Sequence, residues 1–196
     1  MIKLKSTDKI WFTSDLHVSH KNICRGESVW TNLDATRNFE TVHDMNKAIT
    51  KSINDYAEEH DHLFILGDVL MGDKFYDKFL DLLNCKNVYI VYGNHDNLNK
   101  LTECHHSSIK FQGYYLKLLV DKQEIILFHY PILSWENASK KSWHLYGHSH
   151  NTLKDDNYKN RKCFDVGIDW EEFRPYHFDE IKKIMDEKNG VNVDRH

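Results

Sequence analysis

Long apolar runs are missing from this 196-residue chain. No stretch approaches the roughly 18 consecutive apolar residues of a membrane span, so no membrane partner is expected. Met1-Ile2-Lys3-Leu4-Lys5 has no long apolar segment behind it, so no signal peptide is expected and the cytoplasm is the expected location. Runs of one charge are missing too. Lysine and arginine come at most in pairs such as Lys140-Lys141 and Lys182-Lys183, and the formal net charge is −4. Long-range attraction to nucleic acid or to an anionic membrane is therefore not favoured. Cysteine is sparse and scattered: Cys24, Cys85, Cys104 and Cys163 form no CxxC pair, so four reduced thiols in or near the core are expected. Repeats, low-complexity tracts and linkers are also lacking. One domain over 1–188 with a frayed tail over 189–196 is the expectation. No glycine-rich phosphate cradle of the Walker type occurs.

What remains is an ordinary soluble composition, 40% hydrophobic and 29% charged, with fourteen histidines. Histidine is the commonest metal ligand, so its placement decides more than its count. Short β-rich runs alternate with helical stretches. Ile10 to Ser14 forms a buried strand, followed by a helix from the three- and four-residue spacing of Val42, Met45, Ile49, Ile53 and Tyr56. Leu63–Leu66 is a second strand, stopped by Gly67-Asp68. A helix through Phe75, Phe79, Leu82 and Leu83 precedes a third strand, Val88–Tyr92, stopped by Gly93-Asn94. This β-α-β-α-β order predicts a largely parallel sheet with right-handed crossovers. Tyr114–Val120 and Glu124–Phe128 predict a hairpin, with short strands at Leu145-Tyr146 and Cys163–Val166. A helix through Phe178, Ile181, Ile184 and Met185 closes the chain, with Asp179 and Glu180 in its first turn, where the dipole favours acids.

Polar clusters sit where the strands stop: Asp15 and His17, then Asp68, then Asn94, His95 and Asp96, then His129, then His148 and His150. In open α/β sheets ligands bind beyond the carboxyl ends of strands, where loops converge. Asp15-Leu16-His17 alternates like a strand, which would send both polar side chains into one site. Any one cluster is weak, since Gly-Asp is a common turn and a lone histidine after a strand is more often core. Together they supply three oxygen donors and four imidazoles. That mixture suits Mn, Fe, Ni or Zn rather than Ca or Mg, and it suffices for two ions sharing a carboxylate.

In this order the motifs Asp15-x-His17, Gly67-Asp68, Gly93-Asn94-His95-Asp96, His129 and Gly147-His148-Ser149-His150 resemble those of the calcineurin-like metallophosphoesterase superfamily. The resemblance spans residues 10 to 168. The surroundings Ser14 to Ile23 and Val166-Gly167-Ile168-Asp169 are similar to a small single-domain branch common in bacteria and phages. It implies a four-layer αββα sandwich with two mixed β-sheets and metals at the strand ends. It also implies two divalent transition-metal ions, manganese first and Fe, Ni or Zn as alternatives. One ion would take Asp15, His17 and His150, the other Asn94, His129 and His148, with Asp68 bridging. His95 would be the catalytic histidine and Asp96 its orienter. A metal-bridging hydroxide would attack phosphorus in line while His95 protonates the leaving oxygen.

The expected substrate is a small, nucleotide-like phosphate mono- or diester. A nuclease or RNA-end processing enzyme on the same site, or a non-catalytic metal-binding module, are the alternatives. His20, Asn22, Arg25 and Arg37 are candidates for substrate contacts. Trp135 and Trp143 are expected in the core, with nucleobase stacking as the alternative. His43, His60, His62, His105, His106 and His144 are taken as surface or structural.

Overall fold

The computed structural model describes residues 1–72, 75–154, 156–169 and 173–190, so the expected frayed tail lies, from residue 191 on, outside the described residues. Strand β1 (Ile2–Leu4) and strand β2 (Ile10–Thr13) open the chain. Helix α1 (Val42–Tyr56) follows, its first turn capped by the Thr41 hydroxyl, which accepts from the Asp44 amide at 3.1 Å. Met45, Ile49 and Ile53 form its buried stripe, each worth about 1.5–3 kcal/mol on burial. Then come β3 (His62–Leu66), α2 (Tyr76–Asp81), β4 (Asn87–Val91), α3 (Leu98–Glu103) and β5 (Ile109–Gly113). The second half holds β6 (Tyr115–Val120), β7 (Gln123–Phe128), β8 (Trp143–Tyr146), α4 (Asp156–Lys159), β9 (Cys163–Asp165), β10 (Tyr176–His177) and α5 (Phe178–Glu187).

Two five-stranded sheets result, ordered β1-β6-β7-β8-β9 and β10-β2-β3-β4-β5. In the second, β2 to β5 run parallel with helices crossing over between them, and β10 pairs antiparallel with β2. In the first, β6 and β7 form the expected antiparallel hairpin, while β1–β6, β7–β8 and β8–β9 are parallel. Both sheets are mixed, and they face each other. Ile10, Phe12, Phe64, Leu66, Tyr89 and Val91 meet Leu116, Leu118, Ile125, Leu127, Trp143 and Leu145 in one apolar layer. The alternate residues Leu63, Ile65, Val88 and Ile90 turn outward onto α1, α2 and α3. Burial on both faces is why these strands read as continuous apolar runs.

The αββα sandwich therefore stands, with one thick and one thin outer layer. Over the first sheet lie Trp135 and Ala138, packed on Ile126, Tyr146 and Cys163. Helix α5 seats Phe178, Ile181 and Met185 in the layer between the sheets. The helix expected through Leu83 ends at Asp81, and the strand expected through Val166 ends at Asp165. All four cysteines are buried and unbridged. Among the described residues, no helix is long and apolar enough to cross a membrane.

Candidate metal centre

The loops leaving β2 and β3 run side by side beyond the sheet. The Asp15 amide donates to the Gly67 carbonyl, His17 to Asp68 and Val18 to Val69, all at 2.9–3.0 Å. Asp15 and His17 adopt φ of 57° and 49°, so the chain does not continue as a strand there. The expected alternation is corrected on that point: a left-handed turn, not a pleat, brings the two side chains to one side. Asp68 (φ 53°), His148 (φ 65°) and His150 (φ 46°) share this conformation. Each such residue costs of order 1–3 kcal/mol, and they cluster at functional sites. Glycine makes the close approaches. A Cβ on Gly147 would lie 1.9 Å from the Ser14 hydroxyl, and one on Gly67, itself at φ 98°, 2.5 Å from His129 Nδ1.

The second sheet contributes Asp15, His17, Asp68 and Asn94, and the first contributes His129, His148 and His150. Asp15, His17 and His150 offer donor atoms within 4.8 Å of one another, as do Asp15, Asp68 and His129. Asp15 thus sits in both groupings, having been expected in one. His17 Nε2 faces His150 Nε2 at 3.2 Å. Asp68 Oδ2 lies 3.6 Å from His17 Nε2 and 3.5 Å from His129 Nε2, between two groups of donors. The Asn94 amide oxygen is 3.0 Å from both His129 Nε2 and His148 Nδ1. His129 Nδ1 is 2.7 Å from the Leu66 carbonyl, so that nitrogen carries the proton and Nε2 presents its lone pair. His150 Nδ1 is likewise hydrogen-bonded to Asp169.

These residues fit divalent cations. Burial pushes the Asp15 carboxyl up to about 8 despite the pull of His150, so its anion calls for a nearby positive charge. Burial, then Arg37 and neighbouring imidazoles, pushes His17 down to about 2, which leaves it neutral with a free lone pair. Two imidazole nitrogens 3.2 Å apart suit one shared cation between them.

His95 is exposed, its ring 5.4 Å from His17 and 6.4 Å from His20, while its amide donates to Asp68 Oδ1 at 2.8 Å. Asp96 does not orient it. The Asp96 carboxylate accepts from the Asp68, Val69 and Gly93 amides and the Tyr76 hydroxyl, all at 2.9 Å, and so clamps the turns after β3 and β4 together. Arg37 is also corrected. It is buried, donating to the Asp15 and Leu16 carbonyls at 2.6 Å and to Asp169, so it braces the Asp15–His17 turn from behind and has no reach to a substrate. Arg25 donates to Leu33 and Thr36, Asn22 accepts from Val29, and His20 accepts from Ile23; all three hold the local backbone. Asp169, in the Val166-Gly167-Ile168-Asp169 segment, is the partner of His150, a role with no sequence signal beyond its place near the last strand. Trp135 and Trp143 are core, at 8% and 4% exposed.

Acids and imidazoles gathered at the carboxyl ends of the strands of two sheets make a site that could hold metal ions. The model of the calcineurin-like phosphoesterases matches residues 8–172, and the chain belongs to that family. It is therefore a hydrolase of phosphate esters, with clusters of side chains that could hold a metal ion. It is 28% identical over 193 residues to an uncharacterized protein of Methanocaldococcus jannaschii, covering 96% of this chain and 97% of that one. It is 23% identical over 204 residues to the gene 66 protein of Mycobacterium phage D29, covering 91% and 96%. A crystal structure of a protein of unknown function from Aquifex aeolicus shares the fold, with a TM-score of 0.67 at 19% identity, covering 90% of this chain and 99% of that one.

Proposed function

We propose that a single domain over 1–188 hydrolyses a small nucleotide-like phosphate ester with two divalent transition-metal ions, manganese first. Asp15, His17 and His150 would hold one, Asn94, His129 and His148 the other, and Asp68 would serve both. The observation that carries this is the position of Asp68 Oδ2, 3.5–3.6 Å from an imidazole nitrogen of each group. When bound, such ions polarise phosphoryl oxygens and acidify water to the strength needed for in-line attack near neutral pH.

The chain's own residues do the rest. His95, exposed at the mouth beside His17 and His20, is free to give a proton to the leaving oxygen. The hydrogen bond that its backbone N–H donates to Asp68 Oδ1 fixes its turn relative to that carboxylate. Asp96 keeps the two turns in register, and Leu66 and Asp169 set the imidazole tautomers.

The test is chelation, refilling with Mn, Ni, Zn or Mg, metal analysis, and a panel of mono- and diesters on the same preparation. About two ions per chain with Mn-restored turnover is expected. One ion or none would overturn the paired centre.

A further inference from the structure

Trp30 differs from the buried tryptophans: it is 41% exposed and stands beside the centre. Its indole meets the His20 ring edge-on at 5.8 Å and 66°, and His20 in turn lies 5.5 Å from His17 and 6.4 Å from His95. One imidazole thus separates the indole from the proposed proton donor. Val29 and Leu33, beside it in the chain, are 81% and 43% exposed.

Apolar exposure of this kind on a slack loop would mean little, but this backbone is pinned. Val29 N donates to Asn22 Oδ1 at 3.4 Å, Trp30 N to the Ser28 hydroxyl at 3.1 Å, and Asp34 N to Asn32 Oδ1 at 3.0 Å. Arg25 donates to the Leu33 carbonyl and the Thr36 hydroxyl, both at 3.2 Å. The segment is tied to its surroundings at Val29 and Leu33 while its large apolar side chains are left in water, which makes it a candidate binding surface.

We propose that Trp30, backed by His20, is a stacking subsite for the nucleobase of the phosphate ester. This rests on the hydrolytic function proposed above and narrows its substrate to nucleotides. The steeply inclined imidazole supports the indole on one side, and the 41% of Trp30 left exposed is open to a planar partner. Base stacking on an aromatic face is sequence-tolerant, so the subsite would select for a base without choosing among bases.

The experiment compares two esters with the same leaving group: thymidine 5′-(4-nitrophenyl phosphate) and methyl 4-nitrophenyl phosphate. On the Mn-loaded protein, Trp30→Leu should raise KM for the thymidine ester about tenfold, with the methyl ester losing distinctly less and kcat for the thymidine ester largely kept. Trp30→Phe should recover most of the loss. Equal losses on both esters, or Leu serving as well as Phe, would overturn stacking. AMP titrated into the wild type should quench indole fluorescence, and calorimetric titration should show Trp30→Leu binding AMP about tenfold weaker. If wild type cuts neither ester nor any monoester of the panel, yet AMP still binds through Trp30, the hydrolytic function fails and the subsite stands. If both esters are cut and Trp30→Leu changes neither KM nor AMP binding, the subsite alone fails.

Discussion

Arg37 and Asp169, 132 positions apart in the chain, meet in a two-bond ion pair behind the centre. Arg37 Nε donates to Asp169 Oδ1 at 2.6 Å and Nη2 to Oδ2 at 3.0 Å. The same guanidinium grips the Asp15 and Leu16 carbonyls, and the same carboxylate accepts from His150. The two side chains together tie the turn bearing Asp15 and His17 to the turn bearing His150. Although burial opposes ionisation, His150 and Arg37 hold the Asp169 carboxyl below the usual carboxylate range.

Removing that charge while keeping the shape should weaken metal retention. Asp169→Asn is expected to lower metal affinity about 10–100-fold, the usual effect of losing a partner behind a ligating imidazole. Chelator competition measures it. Unchanged affinity would mean that the pair serves folding alone.

Asp68 carries a heavier expectation. Asp68→Asn removes the one charge that both proposed ions would share, so both should be lost together and activity should fall by more than about 100-fold, beyond the range of an outer partner. Loss of a single ion, read by metal analysis, would place the shared carboxylate elsewhere. Asp15, which belongs to both groupings, is then the alternative.

His95→Asn should keep the metals and lose about 10²–10⁴-fold on nucleotide or alkyl esters. The loss on nitrophenyl esters should be distinctly smaller, because nitrophenolate departs without a proton. Equal losses would mean that His95 positions phosphate, and loss of metal would make it a ligand.

His144 offers a test away from the centre. Burial pushes it down to about 4, against bonds to the Ile126 and Tyr130 carbonyls that favour the charged form. A histidine depressed in the fold contributes stability that is whole above its unfolded value near 6.5 and is lost as pH falls towards 4. Over that window the loss should be roughly 2–3 kcal/mol. Urea unfolding of metal-free protein at pH 7 and 4.5 should show wild type losing more than His144→Gln. Parallel losses would assign the acid sensitivity to other groups.

The sites at strand ends were legible because apolar runs stop at Gly67-Asp68, Gly93-Asn94 and Gly147-His148, where only glycine permits the observed contacts. Partners of long side chains were not. Asp96 follows His95 in the chain, yet its carboxylate turns inward to three amides and a hydroxyl, and Arg37 reaches back under the site. Spacing does not report such reach. Strands β1 and β10, of three and two residues, are too short to show a period, and they exist because a neighbouring strand offers them hydrogen bonds. Exposure of tryptophan depends on what the rest of the fold covers, so Trp30 had no distinguishing mark before the packing was known.

The left-handed backbone at Asp15, His17, Asp68, His148 and His150 has a bearing on how this centre can change over generations. Aspartate, asparagine and histidine are the non-glycine residues most at ease there. If these positions hold the proposed ions, each answers to two selections at once, for an electron pair and for a bend. A glutamate would supply the same carboxylate as Asp15 or Asp68 but lacks their tolerance for that bend. Drift from aspartate to glutamate is thereby disfavoured at Asp15 and Asp68 by the main chain itself.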